Sequence, residues 1–197
     1  MYGKKYHTWG EMKSKINFSD ILFLLFIVTN AISLYSQVDE QKLKLVFIER
    51  FTQFIDWNPT QITNPDNNKF IIGTIGKNEI YPEIQSFFSN RLIKDRKAKV
   101  IIPRTEEDYL RCDLLFISEV SDAKLHDVLV VVSNKPILTI SDEQKHKESG
   151  VLITIYKKEE HLGFCINESA LARSGLNASY LLLESAEIIN PIKKENP

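Results

Sequence analysis

The sequence has no excess of positive charge, and its two cysteines allow no more than one disulfide. Four of the 25 lysines and arginines and two of the 26 aspartates and glutamates lie in residues 1–36, so the remainder carries 21 basic and 24 acidic side chains, a net charge of −3. Nucleic-acid-binding domains usually present a basic face. The charge balance therefore argues against nucleic acid and against anionic lipid as partners.

The sequence also lacks an apolar run of about twenty residues, the length needed to span a membrane. Its longest apolar run, residues 21–28, reaches about a dozen residues with its four neighbours, the length of the apolar part of a secretory signal. Four lysines precede this run, and small residues follow at Ser33 and Ser36. We therefore expect residues 1–36 to be a signal peptide, cleaved after Ser36 or alternatively after Ser33. An uncleaved anchor and a translation start at Met12 are the alternatives.

No repeat, low-complexity tract or Pro/Gly-rich linker interrupts residues 40–190. Residues 37–197 are enough for one well-packed domain and too few for two comfortable ones. We therefore expect one exported domain over residues 37–197.

Helix-length and strand-length apolar segments alternate along this domain. Residues 41–57 carry apolar side chains three and four positions apart, the spacing of one helix face. Short strands joined by helix-length crossovers are typical of a parallel sheet with helices on both faces. Further helices are predicted over 81–92 and 121–132, and strands over 70–75, 99–103, 113–117 and 136–140.

The apolar pattern changes to strict alternation after residue 150. Residues 151–156 alternate, and residues 161–167 follow a charged turn, which predicts an antiparallel hairpin. Residues 169–189 are predicted to close the chain as one helix, or as two helices broken at 175–177. The expected fold is a single α/β domain with a mostly parallel sheet, helices on both faces, an added antiparallel hairpin near the C-terminus and a closing C-terminal helix.

Motifs for catalysis or cofactor binding are weak or missing in the sequence. Gly73 and Gly76 lack the third glycine of a dinucleotide fingerprint and the ending of a phosphate loop, so a backbone turn explains them better. Asp142 and His146 are spaced to form one edge of a metal site, but a catalytic zinc usually has three protein ligands and no third is nearby. There is no Gly-x-Ser-x-Gly nucleophile elbow. We predict no catalytic residue, no cofactor and no metal.

Cys112 and Cys165 both lie in the expected exported domain. An oxidising compartment would allow them to form one disulfide, which we predict. Two buried thiols on neighbouring strands are the alternative, because cysteine is among the residues most often buried.

Four segments, taken in order, resemble the YfiR-like family of small exported bacterial proteins. The resemblance spans roughly residues 40–188. The segments are Phe47-Ile-Glu-Arg-Phe-Thr-Gln-Phe-Ile-Asp-Trp57 with Pro59, Cys112-Asp-Leu-Leu-Phe-Ile-Ser118, Pro136-Ile-Leu-Thr-Ile-Ser-Asp142, and Phe164-Cys-Ile-Asn167 leading into Ala172-Arg-Ser-Gly-Leu-Asn-Ala-Ser-Tyr-Leu-Leu-Leu183.

The resemblance implies a periplasmic, non-enzymatic regulator. Members of the family bind the periplasmic sensor part of an inner-membrane diguanylate cyclase and hold it inactive, often as redox-responsive dimers. The implied partner is a membrane-bound signalling protein, a diguanylate cyclase or a sensor kinase, with a homodimer as a further implication. Asn58 separates Trp57 from Pro59 and Cys165 replaces a polar residue, so the family's disulfide pattern does not carry over.

Trp57 stands at the predicted end of the first helix, where it could cover the core or anchor a partner. Buried aromatic side chains dominate the energy of protein interfaces, which makes Trp57 our candidate partner-binding residue. Two other functions remain open at this point: a small-molecule-binding sensor domain with a pocket at the carboxyl ends of the strands, and a hydrolase with an unrecognised site.

Overall fold

The computed structural model describes residues 40–58, 68–76, 80–159 and 161–190. They belong to one compact unit, Glu40–Pro197. The predicted signal peptide, residues 1–36, lies outside the described residues. Among the helices that are described, none has the length and apolar character needed to cross a membrane.

Six α-helices, a short 3-10 helix (Gln144–His146) and ten strands build the described part of the domain. The helices are α1 (40–54), α2 (Tyr81–Phe88), α3 (Glu106–Leu110), α4 (Asp122–Val132), α5 (Glu168–Ser174) and α6 (Tyr180–Glu184). The strands are β1 (Ile55–Trp57), β2 (Lys69–Gly76), β3 (Leu92–Ile93), β4 (Arg96–Ile101), β5 (Leu114–Ser118), β6 (Leu138–Ser141), β7 (Ile153–Lys158), β8 (His161–Asn167), β9 (Leu176–Ala178) and β10 (Glu187–Ile189).

Eight of the strands form one mostly parallel sheet in the order β10-β8-β7-β6-β5-β2-β4-β3. The β7–β8 hairpin and the β3–β4 pair are antiparallel, and the other neighbours are parallel. Strands β1 and β9 form a separate antiparallel pair in which Asp56 is opposite Asn177. The predicted α/β class, the mostly parallel sheet and the hairpin are thereby confirmed.

The two faces of the sheet carry separate apolar cores because side chains alternate along each strand. On one face, Phe70, Leu114 and Ile140 pack with residues of α1, α2, α5 and α6. On the other face, Ile71 and Leu115 pack with residues of α3 and α4. Helices therefore cover both faces, as the continuous apolar character of the central strands predicts.

Several helix boundaries follow from caps that can be read in the sequence. The side chain of Ser121 accepts a hydrogen bond from Lys124 N and begins α4. Asn167 Oδ1 accepts one from Ala170 N, 3.0 Å away, and begins α5. Gly175 ends α5 with φ 78°, a conformation that glycine adopts readily.

The prediction was wrong where short strands replace helix. Residues 55–57 were assigned to the first helix, but they pair with β9 as β1. Residues 169–189 form two short helices, α5 and α6, with the break at 175–177 that the sequence predicted, but β9 and β10 take residues that were predicted to be helical. All three strands, β1, β9 and β10, gain their backbone hydrogen bonds from distant partners, and local spacing does not report such partners.

Candidate functional site

The strongest candidate site is an apolar groove between α1 and α6. Its volume is about 260 Å³. Its lining is almost wholly apolar, and one basic and one hydroxyl side chain complete it. The lining residues are Leu43, Val46, Phe47, Arg50, Phe51, Phe54, Phe164, Leu181, Leu182 and Ser185.

Three phenylalanines form the base of the groove. The ring centroids of Phe51 and Phe164 lie 4.9 Å apart, and Phe47 lies 5.8 Å from Phe51 and 6.0 Å from Phe164. All three pairs are tilted, which aromatic rings favour over face-to-face stacking. Phe51 is buried, and the other two are only partly covered. The base is a packed aromatic surface that stays open to solvent on one side.

The rim of the groove exposes large aliphatic side chains. Leu43 is 46 % exposed, Val46 is 40 % exposed and Leu181 is 62 % exposed. Tyr180, at the start of α6, is 74 % exposed. Single exposed apolar residues are ordinary, but a contiguous set around a concave base marks an interaction site.

Leu43 and Val46 reach the surface because the apolar stripe of α1 is wider than the side of the helix that faces the core. Leu45, Ile48 and Phe51 are buried against the sheet. Leu43 and Val46 are also apolar but point outward. Sequence reasoning used Leu43 and Val46 only as part of the helical spacing and did not single them out as surface residues. The excess width of the stripe was the signal that could have found them.

Arg50 is the charged group of the groove. Its guanidinium donates a hydrogen bond to Gln53 Oε1, 3.1 Å away, on the same helix. Among the described residues it makes no ion pair. A cation with only a neutral partner at the rim of an apolar groove is available to an acidic group.

Trp57, the candidate anchor from the sequence, lies in β1 and does not line the groove. Its half-buried ring packs edge-on against Phe70 at 5.3 Å. Its indole N–H is buried and has no hydrogen-bond partner within the part of the chain that the structure describes. Trp57 therefore contributes to the core.

Cys112 and Cys165 are free, buried thiols in the structure. Cys165 lies on β8, whereas Cys112 precedes β5, three strands away. Three spacings of about 4.8 Å separate them by about 14 Å, and a disulfide needs alpha carbons within about 7 Å. The predicted bridge is not formed in this fold.

Burial keeps both thiols protonated. It raises the pKa of Cys112 to about 12, with smaller contributions from the carboxylates of Asp113 and Asp108. Burial is also the main cause that raises the pKa of Cys165, and nearby Lys147 partly opposes it. Neither thiol has the electropositive, accessible surroundings of a reactive cysteine.

The structure gives Asp142 and His146 different partners. Asp142 Oδ2 accepts a hydrogen bond from Lys44 Nζ at 3.2 Å, towards α1. His146 is buried, and its Nδ1 lies 2.7 Å from Ser141 Oγ. Among the described residues, no group of three His, Cys, Asp or Glu side chains could hold a metal ion. The pair forms two separate structural contacts.

Gly73 and Gly76 allow close backbone packing. A Cβ on Gly73 would lie 2.6 Å from Leu115 Cδ2 and 2.8 Å from Cys112 Sγ. Gly76 has φ 107°, and a Cβ there would lie 1.5 Å from the carbonyl oxygen of Ser118. Both glycines are explained by the fit of β2 against its neighbours.

Edge strand β10 is held to the hairpin by a polar cluster that the sequence did not reveal. Glu187 on β10 accepts hydrogen bonds from the Tyr156 hydroxyl and from Lys147 Nζ, the latter at 3.0 Å. The Tyr156 bond is the main cause that lowers the pKa of Glu187, and it raises the pKa of Tyr156 to about 12. Lys147 Nζ also lies 3.5 Å from the centre of the Tyr156 ring. The cluster fixes the sheet edge.

Comparison with known proteins agrees with the resemblance seen in the sequence. No curated protein matches the chain. Residues 41–187, more than half of the chain, match the YfiR/HmsC-like family. The family supports a regulatory role in cyclic di-GMP signalling, and its members are regulators rather than enzymes. The chain belongs to the YfiR/HmsC-like family.

Proposed function

We propose that the exported domain binds the extracytoplasmic part of a membrane-bound signalling enzyme, a diguanylate cyclase or a sensor kinase, and represses it. The protein works in the periplasm after loss of residues 1–36. It has no turnover of its own and acts by occupying a surface of its partner.

The observation that carries this proposal is the open apolar groove of α1 and α6. Leu43, Val46 and Leu181 are exposed on a chain with only 197 residues and an otherwise well-covered core. Exposed apolar area of this kind lowers solubility unless a partner covers it. In a family of signalling regulators, a membrane signalling protein is the partner that such a surface would serve.

Trp57 remains a second candidate for partner contact, beside its place in the core. Trp57→Phe keeps an aromatic ring on Phe70 but removes the indole N–H. If the exposed edge of the Trp57 ring contacts a partner, the smaller ring of Trp57→Phe weakens repression with little effect on folding. If Trp57 is only core, the variant represses like the wild type.

Deletion and complementation test the function. Deleting the gene should raise cellular cyclic di-GMP, or the output of the sensor kinase if that is the partner, and the wild-type gene should restore repression. Leu181→Glu should fail to restore repression because it places a carboxylate on the groove. Val130→Glu is the matched control: Val130 is 68 % exposed, on α4, and belongs to the other face of the domain.

The result that would contradict the proposal is a deletion without effect on either output. A Leu181→Glu protein that accumulates normally and represses fully would instead remove the groove from the mechanism. Thermal unfolding of both variants verifies that neither substitution alters the fold.

A further inference from the structure

We infer that the groove accepts a short amphipathic α-helix of the partner, about three turns long, which carries an acidic side chain facing Arg50. This inference rests on the proposed function and deepens it. It specifies the shape and the charge of the partner segment.

The walls of the groove favour a helix. Both walls are helices: α1 is long enough to bond most of its backbone groups internally, and the short α6 bonds back on itself at its end through Ser185 N and Leu181 O. Such walls offer side chains but no row of backbone donors and acceptors, so an extended peptide lying between them would leave its own backbone groups unpaired. A helix satisfies its backbone internally and presents only side chains.

The length of the groove sets the length of the occupant. Along α1 the lining runs from Leu43 to Phe54. At 1.5 Å per residue this distance is about 16 Å, or three turns of a facing helix. The occupant therefore presents apolar side chains at positions i, i+3, i+4, i+7 and i+11, in contact with the base formed by Phe47, Phe51 and Phe164.

The positive charge of Arg50 determines which charged side chain the bound helix must carry. Arg50 lies midway along the lining and donates only to the neutral Gln53. A carboxylate on the flank of the occupant would pair with this guanidinium and fix the register of the helix. A lysine at the same place would repel it.

Designed peptides test the inference with the purified, exported protein. The probe is a fluorescent peptide of about 14 residues, held helical by a lactam bridge, with leucines at the positions above and one flanking glutamate. Fluorescence anisotropy measures its affinity. One control peptide has the same composition in scrambled order, and another carries a central proline, which prevents a helix.

The helical probe should bind the wild type and the Val130→Glu control equally. Leu181→Glu should weaken binding by at least about tenfold, because the leucine face would meet a carboxylate. Exchanging the flanking glutamate for lysine should weaken binding about two- to fivefold, as for an exposed ion pair. With Arg50→Glu the preference should reverse in favour of the lysine peptide.

Several results would overturn the inference. Equal binding of the helical, scrambled and proline peptides would show that the groove does not select a helix. A wild-type dimer that Leu181→Glu dissociates in sedimentation would assign the groove to a second copy of the chain. A synthetic peptide of residues 21–36 that binds more tightly than the helical probe would assign the groove to the chain's own leader.

The cellular experiment separates this inference from the proposed function. If deletion raises the signalling output and Leu181→Glu fails to repress, but the helical probe does not bind, the function stands and the helical occupant is wrong. If deletion has no effect while the helical probe binds as expected, the groove stands and the proposed partner class is wrong.

Discussion

Arg96 of β4 and Asp113, the residue before β5, form a buried ion pair across the intervening strand β2. Arg96 Nη2 lies 2.9 Å from Asp113 Oδ1, and the two side chains are 13 % and 2 % exposed. The other oxygen of Asp113 accepts a hydrogen bond from Ile71 N at 2.7 Å. The guanidinium also lies 5.0 Å from the centre of the Phe70 ring, on which Trp57 packs. Through the contact of Trp57 with Phe70, the small β1–β9 sheet packs against the part of the main sheet that this ion pair holds together.

Removing the carboxylate of Asp113 should destabilise the domain strongly. Asp113→Ala leaves the Arg96 charge and the Ile71 N–H without this partner, at a cost of about 3 kcal/mol in the free energy of unfolding. Urea unfolding followed by far-UV circular dichroism measures the change. Asp56→Ala is the control, because Asp56 is 73 % exposed in its pair with Lys94 and should cost less than about 1 kcal/mol. Equal losses in the two variants would contradict this prediction.

The stability of the domain should fall below about pH 6.5 because of His146. Burial is the main cause that lowers the pKa of His146 in the folded state, the charge of Lys145 adds to it, and Asp122 and Asp142 partly oppose it. Above the unfolded pKa both states are neutral at this residue. Below it the unfolded chain binds a proton that the folded chain does not, so the free energy of unfolding decreases as pH falls.

Urea unfolding between pH 5 and pH 8 is the measurement for this pH effect, with a slope of up to about 1.4 kcal/mol per pH unit. His146→Gln should remove most of this slope, whereas His126→Gln, at an exposed position of α4, should leave it unchanged. An unchanged slope in His146→Gln would assign the pH dependence to other groups.

The two cysteines should remain reduced and unreactive in the native protein. Their buried thiols have raised pKa values and carry little thiolate at neutral pH. A thiol reagent should titrate neither cysteine in native, air-exposed protein and both after denaturation, and a reductant should not change the melting temperature. Fewer than two thiols after denaturation would show that oxidation overrides the distance seen in the fold.

The exported protein should start between Leu34 and Val38, because the apolar run of residues 21–28 has the length of a secretory signal. Intact-mass measurement of protein from the periplasmic fraction tests this expectation. A membrane fraction that retains Met1 or Met12 would contradict it.

Much of the central sheet could be predicted from local pattern. Strands β2 and β5 are continuous apolar runs because both faces of the sheet are covered, and such runs are visible without any knowledge of their neighbours. The start of α4 at Ser121 and the start of α5 at Asn167 are also local, since a cap bonds to backbone two or three residues away.

Tertiary structure decided the short elements and the candidate site. Strands β1, β9 and β10 are three residues long and exist through pairing with distant segments, so residues 55–57 could be read equally well as helix. The separation of Cys112 from Cys165 likewise follows from strand order and not from their spacing in the chain.

The groove between α1 and α6 shows most clearly which features follow from local sequence and which follow from tertiary structure. The sequence determined by itself that α1 is a helix with an apolar stripe, because apolar residues three and four apart share one helix face. It could not determine which part of that stripe meets the sheet and which part, including Leu43 and Val46, meets solvent. Burial depends on what packs against each residue, and only the placement of Phe164 and α6 beside α1 turned the outer half of the stripe into an open groove.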